Sequence, residues 1–135
     1  MARDNLTIVR RFYDAIAELD AKGLLAVLEP DLRARVTDGL GDWGGERQGA
    51  QEMLEKVWIP AYLTFRANPT PDEFFERPPD TVAAIGFYRG TAQDTGRSFE
   101  AAFCHVFRCT DERIGELIQI TDSVRWLESL EPASP

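Results

Sequence analysis

Apolar positions in the first part of the chain return every three to four residues. Leu6, Val9, Phe12 or Tyr13, Ile16 and Leu19 line one stripe, which predicts an amphipathic helix over about 4–19. Asp20 stands where a second helix needs an N-cap, and that helix carries Leu24, Leu25, Val27 and Leu28 until Pro30 stops it. The period then changes to two. Leu32, Ala34 and Val36 alternate with Arg33, Arg35 and Thr37, the pattern of a strand with one buried face. A glycine-rich stretch from Gly39 to Gly49 follows, and helical spacing resumes through Met53, Leu54, Val57 and Trp58, predicting a third helix over 50–58 that ends before Pro60.

From Tyr62 onward the pattern reads as strands at about 62–68, 72–78, 82–92, 98–110 and 113–121. Asn68-Pro69, Pro78-Pro79-Asp80 and Asp94-Thr95-Gly96-Arg97 mark the breaks between them. A last short helix is expected over 123–130, followed by a frayed tail at 131–135. Helices first and an antiparallel run of strands second is an α+β order, filling one domain over 1–135.

Composition narrows the function. With 135 residues the chain is long enough to bury a core without disulfides. Fifteen basic against 23 acidic side chains give a net charge of −8, which argues against a nucleic-acid partner, whose phosphates need clustered Lys and Arg. No apolar run approaches the ~20 residues of a membrane span, and the first residues lack the build of a signal peptide. A soluble, cytoplasmic protein is expected. Cys104 and Cys109 are five apart on one predicted strand and so face opposite sides, unable to bridge. The lone histidine, His105, rules out a His-rich metal site, and neither a metal nor a cofactor is expected.

Gly39-Leu40-Gly41-Asp42-Trp43-Gly44 matches G-x-G-x-x-G, but a dinucleotide site also needs a parallel βαβ unit and a helix N-terminus directly behind the glycines. With Asp38, Asp42 and Glu46 around it, the stretch reads as a loop over one end of the sheet. On the predicted strand 98–110, Phe99, Ala101, Phe103, His105 and Phe107 share one face, placing the histidine in an aromatic row. It is either a satisfied core residue or a proton donor and acceptor at the wall of an apolar pocket. If the turn at 110–113 is a symmetric hairpin without a bulge, Asp122 lies opposite Ala101, on the side of His105 and about 13 Å along the strand from it. The two would then bracket a ligand. Asp122 also stands where the last helix needs an N-cap. Asp38 continues the alternation of Leu32, Ala34 and Val36 toward the apolar side, or else marks an Asp-Gly turn. Tyr13, Trp43, Trp58, Tyr62, Phe103 and Phe107 are the candidate walls of a mixed cavity, and Tyr88 and Trp126 are further aromatic residues that belong either to the core or to such a wall.

The segment from Val9 to Ile16 with Asp20-Ala21-Lys22-Gly23-Leu24, and Arg47-Gln48-Gly49 before the third helix, resemble the opening of nuclear transport factor 2-like domains. The run from His105 through Glu116 to Asp122 resembles the SnoaL-like polyketide cyclase branch. The resemblance spans nearly the whole chain. It implies a curved, cone-forming antiparallel sheet packed on three helices around an apolar cavity, with a short C-terminal helix. It also implies that Asp122 is a general acid/base, His105 a pocket residue and Asp38 a neighbour of the base position of ketosteroid isomerases. The expected function is a cofactor-free cyclase or isomerase for an apolar, polyketide-like small molecule. The alternatives are a non-catalytic binding or accessory protein, and a hydratase or epoxide-hydrolase type of enzyme. The outward face of strand 98–110, with Ala102, Cys104 and Val106, is too apolar for water and predicts a homodimer through the sheet.

Overall fold

A computed structural model describes residues 4–132. The tail expected at 131–135 is described only through Pro132, and 133–135 lie outside the described residues. Helix α1 (Asn5–Ala17) starts at Asp4, whose carboxylate accepts from the Leu6 amide at 3.1 Å, and α2 (Ala21–Ala26) starts at Asp20, which accepts from the Gly23 amide at 2.9 Å. Asp20 is the cap the sequence called for, and Asp4 does the same for α1, because a carboxylate there meets amides that have no partner inside the helix. The second helix ends earlier than Pro30. The proline instead sits inside β1 (Leu28–Val36), in the span where the register with the neighbouring strand shifts, a place that tolerates a missing N–H.

Six strands form one curved, open sheet in the order β2-β1-β6-β5-β4-β3. They are β1, β2 (Gly45–Gln48), β3 (Asn68–Arg77), β4 (Thr81–Thr91), β5 (Ser98–Thr110) and β6 (Arg113–Thr121). All neighbours are antiparallel except β1 and β6, which run parallel. That pair corrects the all-antiparallel expectation. β1 leaves the helical pair, and β6, the last strand, returns beside it only after the other strands have been laid down. The glycine-rich stretch holds a 3-10 turn (Asp38–Trp43) with Gly41 at φ 65°, then β2. The G-x-G-x-x-G run at 39–44 leads into β2 and not into a helix N-terminus, and no parallel βαβ unit surrounds it among the described residues, so the loop reading holds over the dinucleotide one.

The third helix runs much further than expected. An α turn α3 (Ala50–Met53) passes through a π-helical stretch (Leu54–Trp58) into α4 (Ile59–Phe65), where a strand from Tyr62 was expected. Pro60 does not stop it. The Ile59 amide reaches back five residues to the Leu54 carbonyl, and the wide π turn absorbs a proline that has no N–H to give. α4 ends at Arg66, in the left-handed region at φ 48°. The chain closes with α5 (Ser123–Glu128), which lays the buried Trp126 against Phe65, Tyr88 and Phe99 at 5.0, 4.8 and 4.9 Å between ring centres.

The helices cover the concave face of the sheet. Phe12 of α1 packs edge-on against Phe107 of β5 at 5.1 Å and against Trp58 at 5.7 Å, so one ring ties the helical layer to the strands. Gly90 on β4 lets the end of α4 approach: a Cβ there would lie 2.5 Å from the Phe65 carbonyl oxygen and 2.8 Å from the Ala67 Cα. Both obstacles are backbone and cannot swing aside. Gly90→Ala is therefore expected to cost about 2–3 kcal/mol, seen as a lower urea midpoint at unchanged m-value; an unchanged midpoint would mean that the helix end is not held at this distance.

Candidate functional site

The inner face of β5 presents Ala101, Phe103, His105, Phe107 and Cys109, all buried, while Cys104 lies half-buried on the other face. His105 is fully enclosed. Its ring stacks on Phe103 at 4.1 Å and on Tyr13 at 5.8 Å. Tyr13, buried on α1, brings its hydroxyl to 2.7 Å from Nδ1, and Tyr88 on β4 brings its hydroxyl to 2.8 Å from Nε2. Both ring nitrogens are thus engaged, as a buried imidazole requires. Burial lowers the His105 pKa to about 3 and raises both tyrosine hydroxyls well above their ordinary value, with the neighbouring Tyr88 and Cys104 side chains adding to the rise at Tyr13. The triad is neutral at physiological pH.

Above it lies a cavity of about 450 Å³ between the helical layer and the sheet. Its wall is mostly apolar: Ile16, Leu24, Val36, Leu40, Leu54 and Val57 contribute, along with the aromatic rings of Trp43, Trp58 and Trp126. Tyr88 lines it directly, whereas Tyr13 and His105 sit behind. Gln119 and Thr121 of β6 supply the further polar groups of the sheet wall, and the Thr121 hydroxyl accepts from Trp126 Nε1 at 3.1 Å. Leu19, Ile59 and Leu63, all exposed, mark the mouth together with Asp20 and Arg66. The Arg66 guanidinium lies over the Tyr62 ring at 5.0 Å. A wider groove over α1 and α2, lined by Asp14, Glu18, Glu29 and other charged side chains along with Ile8 and Val27, is open to water.

The sequence-derived site residues separate into three places. Trp43, Trp58 and Tyr62 line the cavity. Tyr13, Phe103, Phe107 and His105 are in the packed layer behind it. Asp122 and Asp38 reach neither. Asp122 is exposed on the outer side, in a groove with Phe87, Ala102 and Glu128, with its nearest cation Arg125 at 4.0 Å, and it makes no side-chain cap of α5. The expected convergence of His105 and Asp122 on one cavity is corrected by a β-bulge. Thr110 pairs with Arg113 and Cys109 with Ile114, as a symmetric hairpin demands, but the register then slips by one, so His105 faces Gln119 and Phe103 faces Thr121. Gln119 and Thr121 turn inward, and Asp122, bonded by its amide to the Ala102 carbonyl at 3.0 Å, turns outward. Asp38 is likewise exposed, pairing with Arg35 at 3.6 Å, because the chain leaves the strand for the 3-10 turn before the alternation reaches it.

Two polar residues of the site, Gln119 and Thr121, were not marked by sequence reasoning. Tyr88, which shares the β4 face of Ala84 and Val82, stood among the aromatic candidates for the cavity wall, but its pairing with His105 was not read. Gln119 was hidden by the bulge. Among the described residues no group of three or more His, Cys, Asp or Glu is arranged to hold a metal ion, and no helix is long and apolar enough to cross a membrane.

Comparison with known proteins fits this architecture. A SnoaL-like domain profile matches residues 9–117. No curated protein matches the chain. Among solved structures, a nuclear transport factor 2-like protein of Burkholderia thailandensis superposes with a TM-score of 0.88 at 26% identity, covering 96% of this chain and 99% of that one. A nuclear transport factor 2-like protein of unknown function from Burkholderia pseudomallei gives 0.82 at 30% identity, covering 93% and 95%. IdmH, described as a proposed polyketide cyclase from Streptomyces antibioticus, gives 0.80 at 26% identity, covering 95% and 99%.

The depressed His105 pKa has a thermodynamic consequence. Between the ordinary value of 6.5 and about 3, the unfolded chain takes up a proton that the native imidazole declines, so acid favours unfolding. The His105 contribution to stability is therefore complete above pH 6.5 and declines below it, by at most ~1.4 kcal/mol per pH unit. In urea unfolding from pH 7 to pH 4, the stability difference between the unaltered protein and His105→Gln is expected to shrink by that slope; a constant difference would mean that the ring is protonated in place. The profile, the superpositions and the helix-covered cavity agree: the chain belongs to the family of SnoaL-like domains.

Proposed function

We propose that the protein is a cofactor-free enzyme of the cyclase or isomerase type, acting on an apolar, polyketide-derived small molecule in the internal cavity. The observation that carries this reading is the cavity itself: about 450 Å³, apolar around most of its wall, with the hydroxyl-bearing Tyr88 backed by a buried neutral histidine. Such a site excludes water and strengthens every hydrogen bond made to a ligand inside it. The exposed Leu19, Ile59 and Leu63 at the mouth suit the entry of an apolar molecule. Membership of the SnoaL-like family and the likeness to IdmH support the reaction type. The sequence-based choice of Asp122 or Asp38 as base is less well supported, because neither carboxylate lines the cavity.

A non-catalytic carrier of the same ligands is the second reading, favoured by the lack of any carboxylate in the cavity interior, where the rim holds Asp20, bonded to the Gly23 amide as the cap of α2. For assembly, we propose a homodimer through the outer sheet face. Ile85, Cys104 and Ile120 form one cross-strand row there and Ala83, Val106 and Ile118 the next, with Ile120 53% exposed. Apolar rows of that kind are seldom left to water.

Three measurements check these readings. Nile red is expected to bind once per chain and to be excluded by Ala61→Trp, which fills the half-buried cavity wall from α4. Equal binding by that variant would remove the cavity from the function. With thioester mimics of short poly-β-keto acids, cyclised or isomerised product lost in the same variant supports the enzyme, whereas binding without conversion supports the carrier. Light scattering at micromolar concentration is expected to give twice the chain mass of 15.2 kDa; a monomer mass would leave the outer face without its partner.

A further inference from the structure

The three side chains around His105 can be assigned a direction by counting protons. A neutral imidazole has one N–H and one lone pair, and both ring nitrogens lie against a tyrosine hydroxyl. The Tyr13 hydroxyl is buried and His105 is its one hydrogen-bond partner among the described residues. If Nδ1 carried the proton, the Tyr13 O–H would be left in the core with no acceptor and would lose its full hydration. Tyr13 must therefore donate to Nδ1. Nε2 then carries the hydrogen and donates it to the Tyr88 oxygen. The Tyr88 proton has no acceptor among the described protein groups, and Tyr88 is the member of the chain that lines the cavity.

An imidazolium is disfavoured by the surroundings. The ring is packed by Phe103, Phe107, Tyr13 and Tyr88, with Gln119 opposite it on β6, and among the described residues no carboxylate is hydrogen-bonded or paired to it. The order Tyr13 to His105 to Tyr88 also runs outward from the core, so each donation polarises the next in a region of low dielectric.

We infer that Tyr13, His105 and Tyr88 form a one-way hydrogen-bond relay that presents the Tyr88 hydroxyl proton to the cavity, as the donor for a carbonyl oxygen of an uncharged ligand. A carbonyl suits this position because it only accepts, and because a donor fixed beforehand stabilises the negative charge that a reacting carbonyl gathers on oxygen. No proton has to leave Tyr88 for this effect. An uncharged ligand follows from the wall, whose charged groups, Asp20 and Arg66, are both exposed at the rim. Tyr88 is then the catalytic residue, and His105 and Tyr13 are positioning residues. The inference rests on the cavity function proposed above and names the chemistry of the ligand.

Because the chain has one histidine, selective ¹⁵N-histidine labelling yields a single pair of ring-nitrogen resonances. In the ligand-free protein at pH 7, Nε2 is expected to be protonated and Nδ1 not. A protonated Nδ1, or two protonated nitrogens, would overturn the relay whatever the cavity binds. The donor is tested by equilibrium dialysis with fluorene and 9-fluorenone, which share a ring frame and differ by one carbonyl. Tyr88→Phe keeps the ring, so fluorene affinity should hold while fluorenone affinity falls about five- to tenfold. Fluorenone binding that ignores Tyr88→Phe overturns the donor and leaves the cavity function standing. Failure of both probes to bind the unaltered protein overturns the ligand class and the cavity function together.

Discussion

The interior is organised by the need to satisfy one imidazole without water. A histidine on the middle of a long strand, facing inward between two phenylalanines, would be a heavy burden if either nitrogen were left unpaired. Tyr13 and Tyr88 meet that need from two different elements, at 2.7 and 2.8 Å. The position of α1 against the sheet is thereby specified by a polar contact as well as by Phe12 packing on Phe107. Polar contacts in a core are geometrically demanding, so they select one arrangement among the many that apolar packing alone would accept. The cavity inherits its chemistry from the same contact, since the group facing it is the outer end of the pair.

The helical wall answers a different constraint. To cover a curved sheet and still leave space, the third helical segment must be long, yet it has to pass Pro60. The π turn at Leu54–Trp58 provides the passage. It is also the stretch that supplies Leu54, Val57 and Trp58 to the cavity. The irregularity and the wall are one feature, in keeping with the frequency of such turns near functional sites.

Much of this was legible in the sequence. The helix cap Asp20, the inward row of β5 and the α+β order all follow from local rules, because each depends on a few neighbouring residues. The resemblance carried by Val9–Ile16 and by the His105 run led to the right family. What escaped depends on single-residue geometry. Pro60 was given its usual breaking role, and only the backbone can show a five-residue hydrogen bond stepping around it. The side occupied by Asp122 depended on whether the β5–β6 hairpin was regular, and parity arguments have no tolerance for one extra residue. The pairing of two tyrosines with His105, 92 and 17 positions away, is a tertiary contact that no spacing rule announces.

That extra residue has an evolutionary reading. Ile114 pairs with Cys109 and Glu116 with Arg108, so Gly115 is the position skipped in the ladder. Every β6 side chain beyond it owes its orientation to that skip. Loss of one residue from the hairpin would exchange the inward set Gln119 and Thr121 for the outward set Ile118, Ile120 and Asp122, converting the floor of the chamber from amide and hydroxyl to hydrocarbon and acid in a single genetic event. A scaffold built this way explores new chemistries by indel rather than by slow accumulation of substitutions, and the length of one turn becomes a heritable determinant of what the chamber can hold.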